Sequence, residues 1–328
     1  MKNSPLLIVL GEPNSIFSEI LFKTFKKNIF KKSIRPILII GSMSLLKKQM
    51  RLLKYFIKIK ECKLFETKKL RLDNKCLNII NVKYKYKKTF DKISIKSNRY
   101  IDECFKIALD IIKKEPSCNL INGPVSKTHF LRKKYLGITE YLANKVKVKK
   151  KPTMLIYNSY FSVCPISTHL PINKVSKSLS KDKIIKDVLN IKNFYNLRLK
   201  KKPKFAVLGL NPHCETVNKY SEEKSKIIPA IKHLKKNKKI NISGPFSADT
   251  FFSKNNLDKY DVAIGMYHDQ VLTPMKTLFG FNAINITLGL PFLRISPDHG
   301  PNIQMLGKNK SDPSSLIESI RFLKNNAN

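Results

Sequence analysis

A chain of 328 residues with 42% hydrophobic and 27% charged residues can bury a large core, which excludes wholesale disorder and suggests about two domains at about 150 residues each. Lysine and arginine number 64 against 23 aspartates and glutamates, a formal net charge of +41, but the lysines run from end to end, as in KKNIFKK, KVKVKKK and HLKKNKK. That spread describes a solvated lysine coat. Without a zinc finger, an RNP signature or an aromatic-interleaved basic motif, no specific nucleic-acid partner is expected. No apolar run nears the roughly 20 residues of a membrane span, LLIVL at the start is too short for a secretory signal, and the six cysteines form no CxxC pair. A reduced, cytoplasmic protein with no membrane partner is expected.

In chain order, nine stretches read as strands: LLIVL (6–10), PILII (36–40), CLNIINV (76–82), LING (120–123), TMLIY (153–157), FAVLGL (205–210), INISG (240–244), VAIGMY (262–267) and AINITLG (283–289). Several are apolar without alternation, as strands covered on both faces are. Between them, Phe17, Leu21, Phe25 and Ile29 step by four, as do Cys104, Ala108 and Ile112, which is helical periodicity. The alternation predicts an α/β protein with a largely parallel or mixed sheet. Residues 43–95 are lysine-rich and weakly patterned, and DPSSLIESIRFLKNN closes the chain as a helix with Asp312 as cap and Pro313 in its first turn.

Polar residues gather just beyond the strands, where open α/β sheets bind ligands. His169, His213 and His268 all fall there. One such histidine is usually a hydrogen-bonded structural residue. Three at equivalent positions could converge as a three-imidazole metal site, whose donors favour zinc, cobalt, nickel or iron over magnesium. His129 and His233 lie in lysine-rich helical surroundings and are expected at the surface. Asp269 either orients the neighbouring imidazole or caps the following turn. Lys276, Asn285 and Arg294 follow at intervals of nine, and Arg294 stands after the apolar LGLPFL, where a charge needs a partner. No GxGxxG follows the first strand, and no Walker A, HExxH or GxSxG motif is present. The residues therefore describe a metal-assisted α/β enzyme with an anionic substrate.

At these residues the sequence resembles the 4-hydroxythreonine-4-phosphate dehydrogenase family of pyridoxal phosphate biosynthesis. The similar blocks run in order: GEP (11–13), INGPVSK (121–127), G-x-TE (137–140), THLP (168–171), GLNPH (209–213), EE-x-x-x-IIP (222–229), GP-x-x-ADT-x-F (244–252), MYHDQ (266–270) and NITLGLPF-x-R-x-S-x-DHG (285–300). The resemblance implies one catalytic unit built as two discontinuous α/β lobes, α/β/α as in isocitrate and isopropylmalate dehydrogenases, with the active site in the interlobe cleft. It implies NAD or NADP bound without the usual glycine fingerprint, a divalent cation (zinc, cobalt or magnesium) held by His169, His213 and His268, and a homodimer with a shared active site. Substrate contacts carry over to Thr139, Lys276, Asn285 and Arg294. The implied reaction oxidises 4-phosphooxy-threonine to 2-amino-3-oxo-4-phosphooxybutanoate, which decarboxylates to 3-amino-2-oxopropyl phosphate. Lys127 and Asp249 are the candidates for the general base, and either could equally hold structure.

Four departures fall on ligand-facing loops of that family. Ser15 and Phe17 replace glycines, Ile138 stands where GHTE has its histidine, the run CETVNKYS (214–221) lacks glycines, and PNIQMLGKNK (301–310) follows DHG without the usual small residues. Two alternatives come with them: a dehydrogenase of another phosphorylated four-carbon hydroxy acid, such as a phosphothreonate or phosphoerythronate, and a binding protein that has lost catalysis.

Overall fold

The computed structural model describes residues 4–63, 72–132, 134–149, 151–215, 220–297 and 299–325. The chain begins with β1 (Leu6–Val9), α1 (Phe17–Lys26), β2 (Ile37–Gly41), α2 (Met43–Leu52), β3 (Ile59–Glu61), β4 (Leu77–Asn81), α3 (Asn98–Lys114), β5 (Asn119–Asn122) and α4 (Ile138–Lys145). It continues with β6 (Thr153–Tyr157), β7 (Ser162–Ser167), α5 (Val175–Ser178), α6 (Lys181–Phe194), β8 (Phe205–Leu208), α7 (Ile228–Lys238), β9 (Ile242–Phe246), α8 (Ala248–Phe251), α9 (Lys254–Lys259), β10 (Val262–Tyr267), α10 (His268–Phe279) and β11 (Ile284–Leu288). It ends with β12 (Arg294–Pro297) and α11 (Ser314–Asn325). Two compact units result: Met1–Lys150 with Leu290–Asn328, and Lys151–Gly289.

In the first unit the strands run in the order β3-β4-β2-β1-β5-β12, every neighbouring pair parallel. Parallel strands are covered on both faces, which explains the unbroken apolar runs of β1 and β2. Leu7, Val9, Leu38, Ile40 and Leu120 form one core with Tyr100, Phe105 and Ala108 of α3, and each fully buried aliphatic side chain contributes about 1.5–3 kcal/mol. Cys104, Ala108 and Ile112 lie on the buried face of α3, as their spacing predicts. At the other end of the unit, Asp312 Oδ1 accepts the Ser314 N–H at 2.8 Å and caps α11.

The second unit orders its strands β11-β6-β7-β10-β8-β9. β6 pairs antiparallel with both β11 and β7, while β7, β10, β8 and β9 are parallel in succession. Its core joins Ile156, Phe161, Val163, Ala206, Ala263, Val271 and Met275.

All nine expected strands are present, and among the described residues three unexpected ones join them. β7 (SVCPIS) carries Pro165 in mid-strand, a residue usually confined to sheet edges, opposite Gly265 of β10. β12 opens on Arg294, and β3 is a short edge strand bearing Lys60 and Glu61.

Candidate active site

In the first unit the loops after β1 and β5 are locked backbone to backbone. Gly123 N donates to Val9 O at 2.8 Å and Glu12 N to Pro124 O at 2.9 Å. A Cβ on Gly11 (φ +72°) would lie 2.5 Å from Pro124 O, and one on Gly123 2.4 Å from Leu10 O, so both positions require glycine. The two glycine replacements expected to alter this region are absorbed internally. Ser15 Oγ donates to Glu12 O at 2.7 Å, and the buried Phe17 ring packs over Gly123 and lies 6.1 Å from the His299 ring.

Arg294 is wholly buried at the start of β12. Its Nε donates to Asn122 Oδ1 at 2.7 Å, at the end of β5, and its Nη1 to Thr139 Oγ1 at 3.4 Å, in the first turn of α4. Burial pulls the guanidinium down to about 9, while the negative Glu140 opposes that shift. Lys127 is exposed, yet the covered part of its side chain lowers its pKa, again with Glu140 pulling the other way. Ile138, first residue of α4, packs partly buried against this unit's core.

The second unit carries His169, His213 and His268. β7, β10 and β8 are parallel neighbours, so the connections that leave their C-terminal ends emerge along one edge. His169 lies two residues past β7, His268 starts α10 directly after β10, and His213 sits in the turn Pro212–Cys214 after β8. The His169 and His268 rings face each other, 5.6 Å between centroids. His169 (φ +51°), His213 (φ +52°) and Cys214 (φ +60°) all occupy the left-handed region, which costs a non-glycine residue about 1–3 kcal/mol and persists where the surroundings impose it.

Asp269 Oδ1 meets His268 Nδ1 at 2.6 Å, and the N-cap of α10 is Tyr267 without a side-chain cap. Asp269 therefore orients the imidazole through Nδ1 and leaves Nε2 as the other ring nitrogen, the arrangement of a metal-bound histidine with a carboxylate behind it. Two imidazoles so disposed fit a divalent cation of the zinc or cobalt class. His213 is exposed, and Asp249 has its carboxyl held below the ordinary value by Ser247 first and by His213 in part. Among the described residues no three His, Cys, Asp or Glu side chains converge at metal-binding distance.

Lys276 lies two turns along α10 with its Nζ 5.2 Å from the centre of the Phe281 ring. Asn285 is in β11 opposite Ile156, and its buried Oδ1 accepts no hydrogen bond among the described residues. His129 and His233 are partly exposed. The segment 214–221 is only partly covered, since 216–219 lie outside the described residues. Three residues that single-position reading does not mark, Asn122, Glu223 and Gln270, prove to hold site residues or their loops. Their only signal was membership in the blocks INGPVSK, EE-x-x-x-IIP and MYHDQ. No disulfide joins the six cysteines, and among the described residues no helix is long and apolar enough to cross a membrane.

Compared with known proteins, the chain matches the family model described as "Pyridoxal phosphate biosynthetic protein PdxA" over residues 32–323. The chain belongs to this family. It is 36% identical over 321 residues to the 4-hydroxythreonine-4-phosphate dehydrogenase of Sulfurihydrogenibium sp. (strain YO3AOP1), covering 97% of this chain and 96% of that relative. The crystal structure of 4-hydroxythreonine-4-phosphate dehydrogenase from Klebsiella pneumoniae shares the fold, with a TM-score of 0.82 at 23% identity, covering 99% of this chain and 98% of the other. Isocitrate dehydrogenase from Methylococcus capsulatus shares it more distantly, with a TM-score of 0.52 at 9% identity over 99% and 87% of the two chains. PdxA-family membership makes the chain a dehydrogenase of pyridoxal phosphate biosynthesis, and the expected likeness to isocitrate dehydrogenase is met at the level of the fold.

Proposed function

We propose that the chain uses NAD or NADP and a divalent metal to oxidise the hydroxyl-bearing carbon of 4-phosphooxy-threonine, yielding 2-amino-3-oxo-4-phosphooxybutanoate and then, with loss of CO2, 3-amino-2-oxopropyl phosphate. The observation that carries this reading is His268, oriented by Asp269 and facing His169 at a strand end in a PdxA-family chain. His169, His213 and His268 would hold the metal, which would supply Lewis acidity toward the substrate oxygen. Lys276 and Arg294 offer positive charge to phosphate or carboxylate, Thr139 a hydroxyl, and Asn285 Oδ1 an acceptor for a donor group of the substrate. For Arg294 to bind an anion, its longer bond to Thr139 is the one to exchange.

Lys127 and Asp249 are the two base candidates; burial lowers the pKa of the Lys127 ammonium, and Ser247 first lowers that of the Asp249 carboxyl. A second reading, oxidation of another phosphorylated four-carbon hydroxy acid, is favoured by Ile138, which offers an apolar side chain packed on the core where a histidine is usual. The family likeness also suggests a homodimer, which sedimentation velocity checks.

The purified protein with a divalent metal and NAD is expected to form NADH on adding 4-phosphooxy-threonine, and His213→Ala to abolish it. The same assay with phosphothreonate and phosphoerythronate separates the two readings. No NADH from any of the three, together with no bound divalent ion by elemental analysis, sinks the proposal.

A further inference from the structure

We infer that Glu223, acting with Glu222, Asn211 and Gln270, is the positioning group that fixes the His213 turn and ties together the three histidine-bearing connections. This rests on the proposed reading of His213 as a metal ligand. Glu223 is 2% exposed and stands two residues beyond Ser221, at the start of the turn leading into α7. Its Oε1 accepts the Leu210 N–H at 2.8 Å and the Asn211 N–H at 2.9 Å, and its Oε2 accepts Asn211 Nδ2 at 2.8 Å. Glu222 Oε2 accepts Asn211 Nδ2 at 3.0 Å, and its Oε1 accepts the hydroxyl of Ser176 in α5, on the segment that continues from His169. Lys226 Nζ donates to Ser176 O at 2.8 Å.

From the other side, Gln270 Nε2 donates to Gly209 O at 2.7 Å while its Oε1 accepts the Met266 N–H at 2.7 Å, tying the His268 connection to the His213 one. Ser167 Oγ donates to Met266 O at 2.7 Å and joins the ends of β7 and β10. Gly209 makes room for the brace, since a Cβ there would lie 3.2 Å from Glu223 Oε1 and 2.6 Å from Cys214 Sγ. The turn is largely exposed, with Cys214 half-buried, and holds two successive left-handed residues. The carboxylate that accepts three N–H groups from Leu210 and Asn211, the residues just before it, fixes its entry.

The test uses the full-length chain with Co2+ as probe. Glu223→Ala is expected to weaken Co2+ binding by about 10–100-fold, to alter the visible absorption of the bound cobalt, and to speed amide exchange across residues 209–215. Glu223→Gln keeps an oxygen for the Leu210 and Asn211 N–H groups and should stay within a few-fold of the parent in both measurements. Asn211→Ala, which leaves both carboxylates in place, carries the test if Glu223→Ala does not fold. Parental cobalt binding and exchange in Glu223→Ala overturn the inference, as does a Glu223→Gln variant as impaired as Glu223→Ala. The His213→Ala control separates the two ideas: if it binds Co2+ like the parent, His213 is no ligand, and the exchange data alone then decide whether Glu223 holds the turn.

Discussion

Glu12 in the first unit and Glu223 in the second are each 2% exposed, yet their carboxyls shift in opposite directions. At Glu12 burial pushes the carboxyl above its ordinary value of 4.5, because only the Asn14 N–H at 3.2 Å and the Ser97 hydroxyl at 3.0 Å oppose it. At Glu223 burial pushes up as well, but three N–H donors at 2.8–2.9 Å reverse the shift and hold it below 4.5. Glu12 is the more deeply enclosed of the two and Glu223 has the more numerous and closer donors, and burial and donors together decide whether a buried acid keeps its charge. The loop beside Glu12 has a backbone-to-backbone lock through Gly11 and Gly123 and needs no anion to hold it. The connection to the His213 turn is tied backbone to backbone through Gly209 N and Phe246 O at 2.9 Å, and the charged carboxylate adds the hold on Leu210 and Asn211.

The sharpest way to break the comparison is truncation. Glu223→Ala orphans two part-buried backbone N–H groups and should cost about 3 kcal/mol of unfolding free energy, against about 1 kcal/mol for Glu12→Ala; urea titrations giving equal losses would dissolve the distinction. Backbone strain should show next. His213→Gly relieves a left-handed residue and is expected to leave the melting temperature level or raised, whereas His268→Gly, at the first position of α10, should lose about 1 kcal/mol.

The pH dependence sharpens the sign. Glu223 has a folded pKa below its unfolded one, so its stabilisation is present above pH 4.5 and is lost as pH falls through the lower folded value. Glu12 has the reverse: its protonated form is favoured in the fold, and stability is lost as pH rises through a folded value above 4.5. Urea melts between about pH 3 and pH 7 should therefore show the gap between parent and Glu223→Gln opening as pH rises, and Glu12→Gln becoming the more stable partner of its pair. The smallest effect expected is from Ser97→Ala, which removes one of the two donors to Glu12 and should cost about 0.5–1 kcal/mol at neutral pH.

The fold was legible wherever strands were uninterrupted and apolar. It was hidden where a residue spoke against its own element: Pro165 inside β7, Arg294 at the head of β12, Lys60 and Glu61 along β3. The histidines were legible because a polar residue after a buried strand is conspicuous, and the parallel order β7-β10-β8 turns that pattern into a shared edge. Their backbone was not, since His169 and His213 take a conformation that glycine or asparagine usually signals. Nor was their support, because Glu223 acts on His213 across ten residues of chain through Asn211 rather than by touching it. Asp269, ambiguous between cap and partner in the sequence, was decided by a single distance.

Cys214 follows His213 in the same strained turn and is half-buried, while the other five cysteines are buried. Burial pushes the thiols of Cys104 and Cys118 up to about 12 and Cys164 well above the ordinary range, and raises Cys214 as well, so exposure is what sets Cys214 apart. A thiol-directed dye therefore meets one address first. The native chain carries its own reporter: the rate at which Cys214 is alkylated times the opening of the turn beside His213, with no label engineered in.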